Sequence, residues 1–245
     1  VVPNLPHILT LEQLEYWEQN LPRMKEALAR GLVLPGQETT PSVVVSPSAV
    51  FKTADTDLDF WLKKTEKFAK KYLGVEVRLR EKFVIPEELP WPSTIPVFKS
   101  GGFTNRDAVQ KALKNQGLTV YEEINVMKYS GSSASDEPML HLIENSERSD
   151  PDTIGMSPNQ LRDTSKCWLN LQDYALAFGL YYFVKKRYLD PSTFTWLPEN
   201  RLPGGEVAYG FWLPDNRGVK FSWWDADFEG GDGGARLAIN CSLKS

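Results

Sequence analysis

Histidine and cysteine are scarce in this chain of 245 residues: His7, His141, Cys167 and Cys241 are all there are. A nucleophile triad needs a base beside its nucleophile, so a His-dependent triad would have to use one of those two histidines. The stretch Ser130-Gly131-Ser132-Ser133 lacks the strand–turn–helix setting of a nucleophile elbow. A zinc site wants His and Cys at ligand spacing, and two distant pairs do not supply it. The cysteines read as two buried thiols, with a single bridge open if the fold brings them together. Nothing in them indicates an oxidising compartment. Long apolar runs are missing as well. The longest, 174–184, is too short to cross a bilayer. No charged n-region opens the chain, so no signal peptide is expected in it, although a start at Val1 leaves a removed leader open. Positive excess is also absent. Twenty-eight Lys and Arg stand against 32 Asp and Glu, a net charge of -4, which argues against nucleic acid as the main partner.

What is there is an ordinary globular composition, 41% hydrophobic and 24% charged. The length suits one large domain, or one domain with a helical extension, and a core of that size needs no metal or disulfide to hold it. No cofactor and no metal is expected.

The pattern along the chain is α+β, without an internal repeat. Residues 10–30 carry Leu11, Leu14, Trp17, Leu21, Met24 and Leu28 at helical spacing behind a Thr10/Gln13 capping box, with Pro22 as a kink. A Pro/Ser/Thr-rich linker with a short Val43-Val44-Val45 strand follows. Residues 57–72 form the clearest helix: Leu58, Trp61, Leu62, Thr65, Phe68, Ala69 and Tyr72 make one stripe, and Gly74 stops it. Its outer face holds Lys63, Lys64, Lys67, Lys70 and Lys71, read as a solvated face, with phosphate binding as the sharper alternative. Four prolines within 86–96 mark a connector. They set the expected boundary between a helical region, 1–90, and a second domain, 91–245. In that domain Thr104 and Asp107 cap a short helix, and strands are expected at 118–122, 125–129 and 139–143. Asn170, with Asp173 at the capping-box position, opens a helix that is apolar nearly all round and therefore deeply buried. Short strands then follow at 193–197, 206–213, 219–224 and 235–241.

The last quarter is the most distinctive. Tyr209, Phe211, Trp212, Phe221, Trp223, Trp224 and Phe228 fall within 25 residues, more than twice the 12% aromatic content of the chain. Glycines and the acids Asp215, Asp225, Asp227, Glu229 and Asp232 are interleaved with them. Rigid amphipathic rings beside small adaptable polar residues are the composition of a contact surface. Other chemistries fit this tail less well. The run from Glu229 to Gly234 has the glycines of a phosphate loop without its Lys-Ser/Thr. The run from Asp225 begins like a calcium loop but places Arg236 where the bidentate carboxylate belongs. Two carboxylates beside Trp223 and Trp224 could serve a glycosidase if their separation were right. Being adjacent in a strand, the two tryptophans should point to opposite faces, one to the core and one to the surface.

The buried helix after Asn170, the aromatic Gly-rich strands behind it and the closing Gly234-Ala235-Arg236-Leu237-Ala238-Ile239 resemble the C-type lectin fold. The version is that of formylglycine-generating enzymes and of the variable proteins of diversity-generating retroelements, and the resemblance covers about residues 91–245. In that fold the terminal strand locks a display surface. Cys167 and Cys241 do not match the enzyme's reactive pair, and the calcium-dependent sugar motif is absent, so the variable-protein form is what remains. It implies a non-enzymatic binding protein whose end, about 205–240, is rewritten at adenine-templated codons. The implied solvent-facing ligand-binding residues are Tyr209, Phe211, Asp215, Asn216, Ser222, Asp225, Asp227, Phe228, Gly231 and Asp232. Trp lies outside the reach of an AAC codon, so Trp212, Trp223 and Trp224 would be scaffold. The implied partner is an unknown ligand, more readily a protein than a small molecule. Arg236 would tie the last strand to a carboxylate or a carbonyl. The alternatives are a carbohydrate- or calcium-binding module or glycan-acting enzyme using Asp225, Asp227 and Trp224, an assembly component that oligomerises through its N-terminal helices, and an aromatic tail that is simply core.

Overall fold

The computed structural model describes residues 51–52, 55–122 and 136–244. The helix expected at 10–30, the short strand at 43–45 and the strand at 125–129 lie outside them. The body from Ser48 to Ser245 mixes helix and sheet throughout, as the α+β pattern implies.

A two-residue strand β1 (Phe51–Lys52) leads into helix α1 (Asp55–Phe68), which continues as a π-helical turn, Ala69–Leu73. Gly74 ends it at φ 73°, its N–H returned to the Ala69 carbonyl, a left-handed stop that glycine adopts without steric cost. The short helix α2 (Leu79–Lys82) and strands β2 (Glu88–Leu89) and β3 (Thr94–Lys99) follow. Helix α3 (Asn105–Ala108) opens on the expected Thr104/Asp107 capping box and runs on through Val109–Leu113 and Lys114–Gln116. Then come β4 (Thr119–Glu122), β5 (Met139–Glu144), α4 (Pro158–Asp163) and α5 (Leu171–Lys185). The chain closes with β6 (Phe194–Arg201), β7 (Val207–Leu213), β8 (Gly218–Trp224), β9 (Gly233–Gly234) and β10 (Ile239–Cys241).

The strands make two main sheets. One is antiparallel, in the order β10-β5-β3; the other runs β4-β8-β7-β6-β9, with β4 and β9 each parallel to its neighbour. Helix α5 touches both, through β3 of the first and β7 of the second. That position explains its composition: every residue from Leu171 to Tyr181 is buried, so an ordinary polar stripe would have no solvent to face. Its rings interlock with the larger sheet, Tyr174 edge-on to Phe221 at 6.0 Å and Phe178 tilted against Trp212 at 6.2 Å.

The expected boundary at residue 91 does not hold. Leu58, Trp61, Leu62 and Phe68 of α1 belong to the same buried cluster as Ile95 and Val97 of β3 and Ala175 and Phe178 of α5. The hydroxyl of Thr65 donates to the Pro96 carbonyl at 2.9 Å. The proline-rich stretch is also more than a connector. It supplies β2 and the start of β3, because Leu89 and Ile95 are worth more buried than exposed.

Two close approaches depend on glycine. At Gly179 an added Cβ would overlap the backbone of Ala112 in the turn after α3. At Gly210 it would sit 2.5 Å from Cε1 of Tyr174. Gly179→Ala should therefore lower stability by about 1–3 kcal/mol, read as a shift in the urea midpoint. An unchanged midpoint would mean that helix and turn can part without loss.

Candidate functional site

The tail is fixed from its far end. Arg236, 1% exposed, donates from Nη2 to Asp190 Oδ1 at 2.7 Å and from Nη1 to the Ser146 carbonyl at 3.0 Å. The carboxylate and the carbonyl expected as alternatives are thus both partners. Asp190 also accepts from Tyr174 Oη (2.9 Å), Thr195 Oγ1 (2.7 Å) and Thr193 Oγ1 (3.0 Å). A buried ion pair holds only when its remaining lone pairs are satisfied this way. Burial works to lower the guanidinium pKa, but the charge and hydrogen bond of Asp190, together with Tyr174 and Asp150, outweigh it, and the net shift is upward. Burial and then the Asp190 charge push the Tyr174 hydroxyl well above its ordinary value.

The backbone around Arg236 is bound just as closely. Ala235 N–H donates to Thr153 Oγ1 and Leu237 N–H to Asp150 Oδ2, at 2.8 and 2.6 Å. Asp150 N–H donates to Ala235 O, Leu169 N–H to Arg236 O and Ala238 N–H to Cys167 O. Residues 233–238 therefore thread between two loops, 150–155 and 167–169. Of the continuous strand expected over 235–241 only an isolated bridge at Leu237 and β10 remain, with β9 just before it, and the side chain of Arg236 turns inward to reach Asp190.

Immediately before this lock lies the aromatic stretch expected to form a contact surface. Cross-strand pairing puts Trp196, Tyr209, Ser222 and Trp224 on the face of the larger sheet away from α5. Part of that face is covered: Trp196 and Val207 form a second buried cluster with Leu161, Trp168 and Ala235, and Phe194, Tyr209 and Trp224 pack on its margin. Beyond the margin, Tyr209 and Phe211 stack at 5.9 Å with their rings 16° apart, both half-buried. Phe228, 39% exposed, leans on Trp224 at 5.4 Å. The loop between β8 and β9 is braced by α4, where Asn159 Nδ2 donates to Asp227 Oδ1 and Gln160 Nε2 to Glu229 Oε1. Asp225 Oδ1 accepts the Asp227 N–H at 2.8 Å.

The ten expected ligand-binding positions divide into groups. Asp225, Asp227, Phe228, Gly231 and Asp232 are exposed on the braced loop, and Tyr209 and Phe211 are half-buried on the sheet. Asp215 and Asn216 are exposed in the β7–β8 turn, but at the opposite end of that hairpin, roughly 20 Å away at the rise of a strand. The fold does not bring them to the loop. Ser222 is a correction: it is 2% exposed rather than solvent-facing. It stands opposite Tyr209 with Lys220 and Trp224 on either side along the same face, where a small side chain lies lower than these larger ones. The tryptophan pair also differs from expectation. Trp223 and Trp224 do point to opposite faces, but both are half-buried, one on each hydrophobic cluster, because each face of the sheet is covered there.

Sequence reasoning missed a second buried polar group. Asp173 is not the reciprocal member of a capping box. Asn170 Oδ1 does accept its N–H, but its carboxylate faces inward, 3.8 Å from Lys99 Nζ and 3.5 Å from His141 Nε2. His141 Nδ1 lies 2.6 Å from Asn240 Oδ1, and the Cys167 thiol donates to the same oxygen at 3.7 Å. The signal available was an acid in the first turn of a helix with no polar face. Cys167 is exposed rather than buried, and both cysteines are free. Burial pushes the Cys241 thiol up to about 11, away from the thiolate that nucleophilic chemistry needs. Among the described residues no group of three His, Cys, Asp or Glu stands where it could hold a metal ion, and no helix is long and apolar enough to cross a membrane. Two shallow hollows, one at Met139, Asn240 and Cys241 and one at Arg162, Glu199 and Arg201, contain none of the ten tail positions. Comparison with protein-family models, with curated proteins and with solved structures finds no match.

Arg236→Ala would leave Asp190 charged, buried and unpaired. It should cost about 3–5 kcal/mol, measured by denaturant unfolding; a fully stable variant would remove Arg236 from this role. Asp150 gives a pH test. Burial raises its pKa from 3.8 to about 6, against the opposing effects of the Leu237 N–H and Arg236. The folded state therefore binds the proton more tightly than the unfolded one. Its favourable contribution is complete below the unfolded value and is lost as pH rises through the folded one, with a slope of up to about 1.4 kcal/mol per pH unit. Asp150→Asn should flatten the stability profile in that window, and an unaltered profile would contradict the assignment.

Proposed function

We propose that this protein is a non-enzymatic binding protein whose ligand-binding surface is the tail before the Arg236 lock. Its architecture would be C-type-lectin-like, of the retroelement variable-protein kind. The observation that carries this reading is the abrupt change in burial along the tail. Residues 225, 227–229, 231 and 232 are exposed, while Gly233 to Arg236 are buried without a break. A fixed anchor next to an exposed, braced loop lets side chains on the loop change with little effect on the core. The exposed chemistry suits recognition of a protein. The exposed Phe228 and the half-buried Tyr209 and Phe211 offer rigid contact area at low entropic cost, and Asp225, Asp227 and Asp232 offer adaptable hydrogen bonding. In this reading Asp215 and Asn216 form a separate, peripheral patch, and Ser222 is framework.

The direct experiment is deep sequencing of the 3′ end of the gene and its flank in the source population. A near-copy of the end, differing opposite template adenines and lying beside a reverse transcriptase, is the expected result. The varied codons should include those for Tyr209, Phe211, Asp225, Asp227, Phe228 and Asp232 and spare those for Trp212, Trp223, Trp224 and Arg236. An invariant end without a template copy would overturn the reading.

A further inference from the structure

A second surface, remote in sequence from the tail, is built from α1 and the end of α5. Each ring there carries a lysine. Lys71 Nζ lies 4.9 Å from the Tyr72 ring centroid and 5.8 Å from that of Phe183. Lys186 Nζ lies 4.9 Å from Tyr182 and 5.8 Å from the same Phe183. Lys185 lies over Trp61 at 5.5 Å and Lys64 over Phe60 at 5.1 Å. The rings touch in two pairs, Tyr72 edge-on to Phe183 at 5.8 Å and Phe60 edge-on to Trp61 at 5.9 Å.

The nearby acids are already committed. Asp59 pairs with Arg80, Glu76 with Lys70 and Glu147 with Arg187, and Glu66 accepts the Leu79 N–H at 2.8 Å. Lys63, Lys64, Lys67, Lys71, Lys185 and Lys186 form no ion pair among the described residues. In a chain of net charge -4 this is a concentrated positive field, with apolar rings beneath it. A merely solvated face has no need of the rings.

We infer that this face binds an acidic segment of a protein partner, with carboxylates on the ammonium groups and apolar side chains against Phe60 and Phe183. The geometry favours this over other anions. Single-stranded nucleic acid binds such surfaces by stacking its bases on aromatic faces, and here lysines of the protein itself stand over those faces. A lipid surface takes up rings that are free to insert. Phe60, the exposed ring at 43%, is instead held edge-on to Trp61 beneath Lys64. A peptide that alternates Asp or Glu with Leu or Phe matches both the charges and the carbon between them.

The test is fluorescence anisotropy of the full chain with a labelled peptide in which Glu and Asp alternate with Leu and Phe. Parallel arms use duplex DNA, single-stranded DNA and phosphatidylserine vesicles. The peptide should bind, weaken about ten-fold or more between about 0.05 and about 0.3 M salt, and lose binding in the variant Lys71→Glu/Lys186→Glu. Both lysines are exposed, so circular dichroism of that variant should match the parent; if it does not, Lys71→Gln/Lys186→Gln serves in its place. No peptide binding, equal binding by the variant, or tighter binding to DNA or vesicles would each overturn the inference.

Discussion

The Arg236–Asp190 ion pair is the constraint on which the C-terminal half depends. A guanidinium taken wholly out of water is costly unless its charge and its N–H groups are met. Here one residue, Asp190, collects bonds from α5 through Tyr174, from β6 through Thr195 and from the tail through Arg236. It does so from a left-handed backbone position, φ 52°, which Asp tolerates better than most residues. The two elements that flank Asp190 and the distant tail thus meet at one carboxylate. Segment 233–238, too irregular to be held by a ladder of its own, is held by side chains and loops instead.

The same arrangement accounts for the difference between the tail's two halves. Upstream of Gly233 the chain crosses a sheet that is covered on one face by α5 and on part of the other by the second cluster. The rings that remain are half-buried at the margin or exposed on the loop. Downstream every residue to Arg236 is buried. A surface bounded in this way can vary in chemistry without altering the core. The basic face on α1 and α5 lies in the same compact body and carries the opposite charge to the acidic loop.

The legible parts of the sequence were those governed by local rules. The stripe and Gly74 gave α1, the Thr104/Asp107 box gave α3, and the unbroken apolar helix after Asn170 gave α5 as the central element. The role of Arg236 came with the resemblance of Gly234–Ile239 to a terminal locking strand. Long-range pairing was not legible. No local pattern says that Asp190 is the acid that meets Arg236, or that Asp173 turns away from its own cap toward Lys99 and His141. Ser222 entered through the resemblance as a solvent-facing position, and no local pattern in the sequence shows that it is buried. The boundary at residue 91 failed because a cluster of prolines resembles a linker whether or not Leu89 and Ile95 are buried beside it.

Native-state hydrogen exchange of the Leu237 amide tests the central claim most directly. Its N–H is held by Asp150 next to the buried Arg236, so it should exchange only by global unfolding, as slowly as the amides of Tyr174 and Phe178 in α5. Exchange orders of magnitude faster than those helix amides would show that the tail opens by itself and that Arg236 does not lock it.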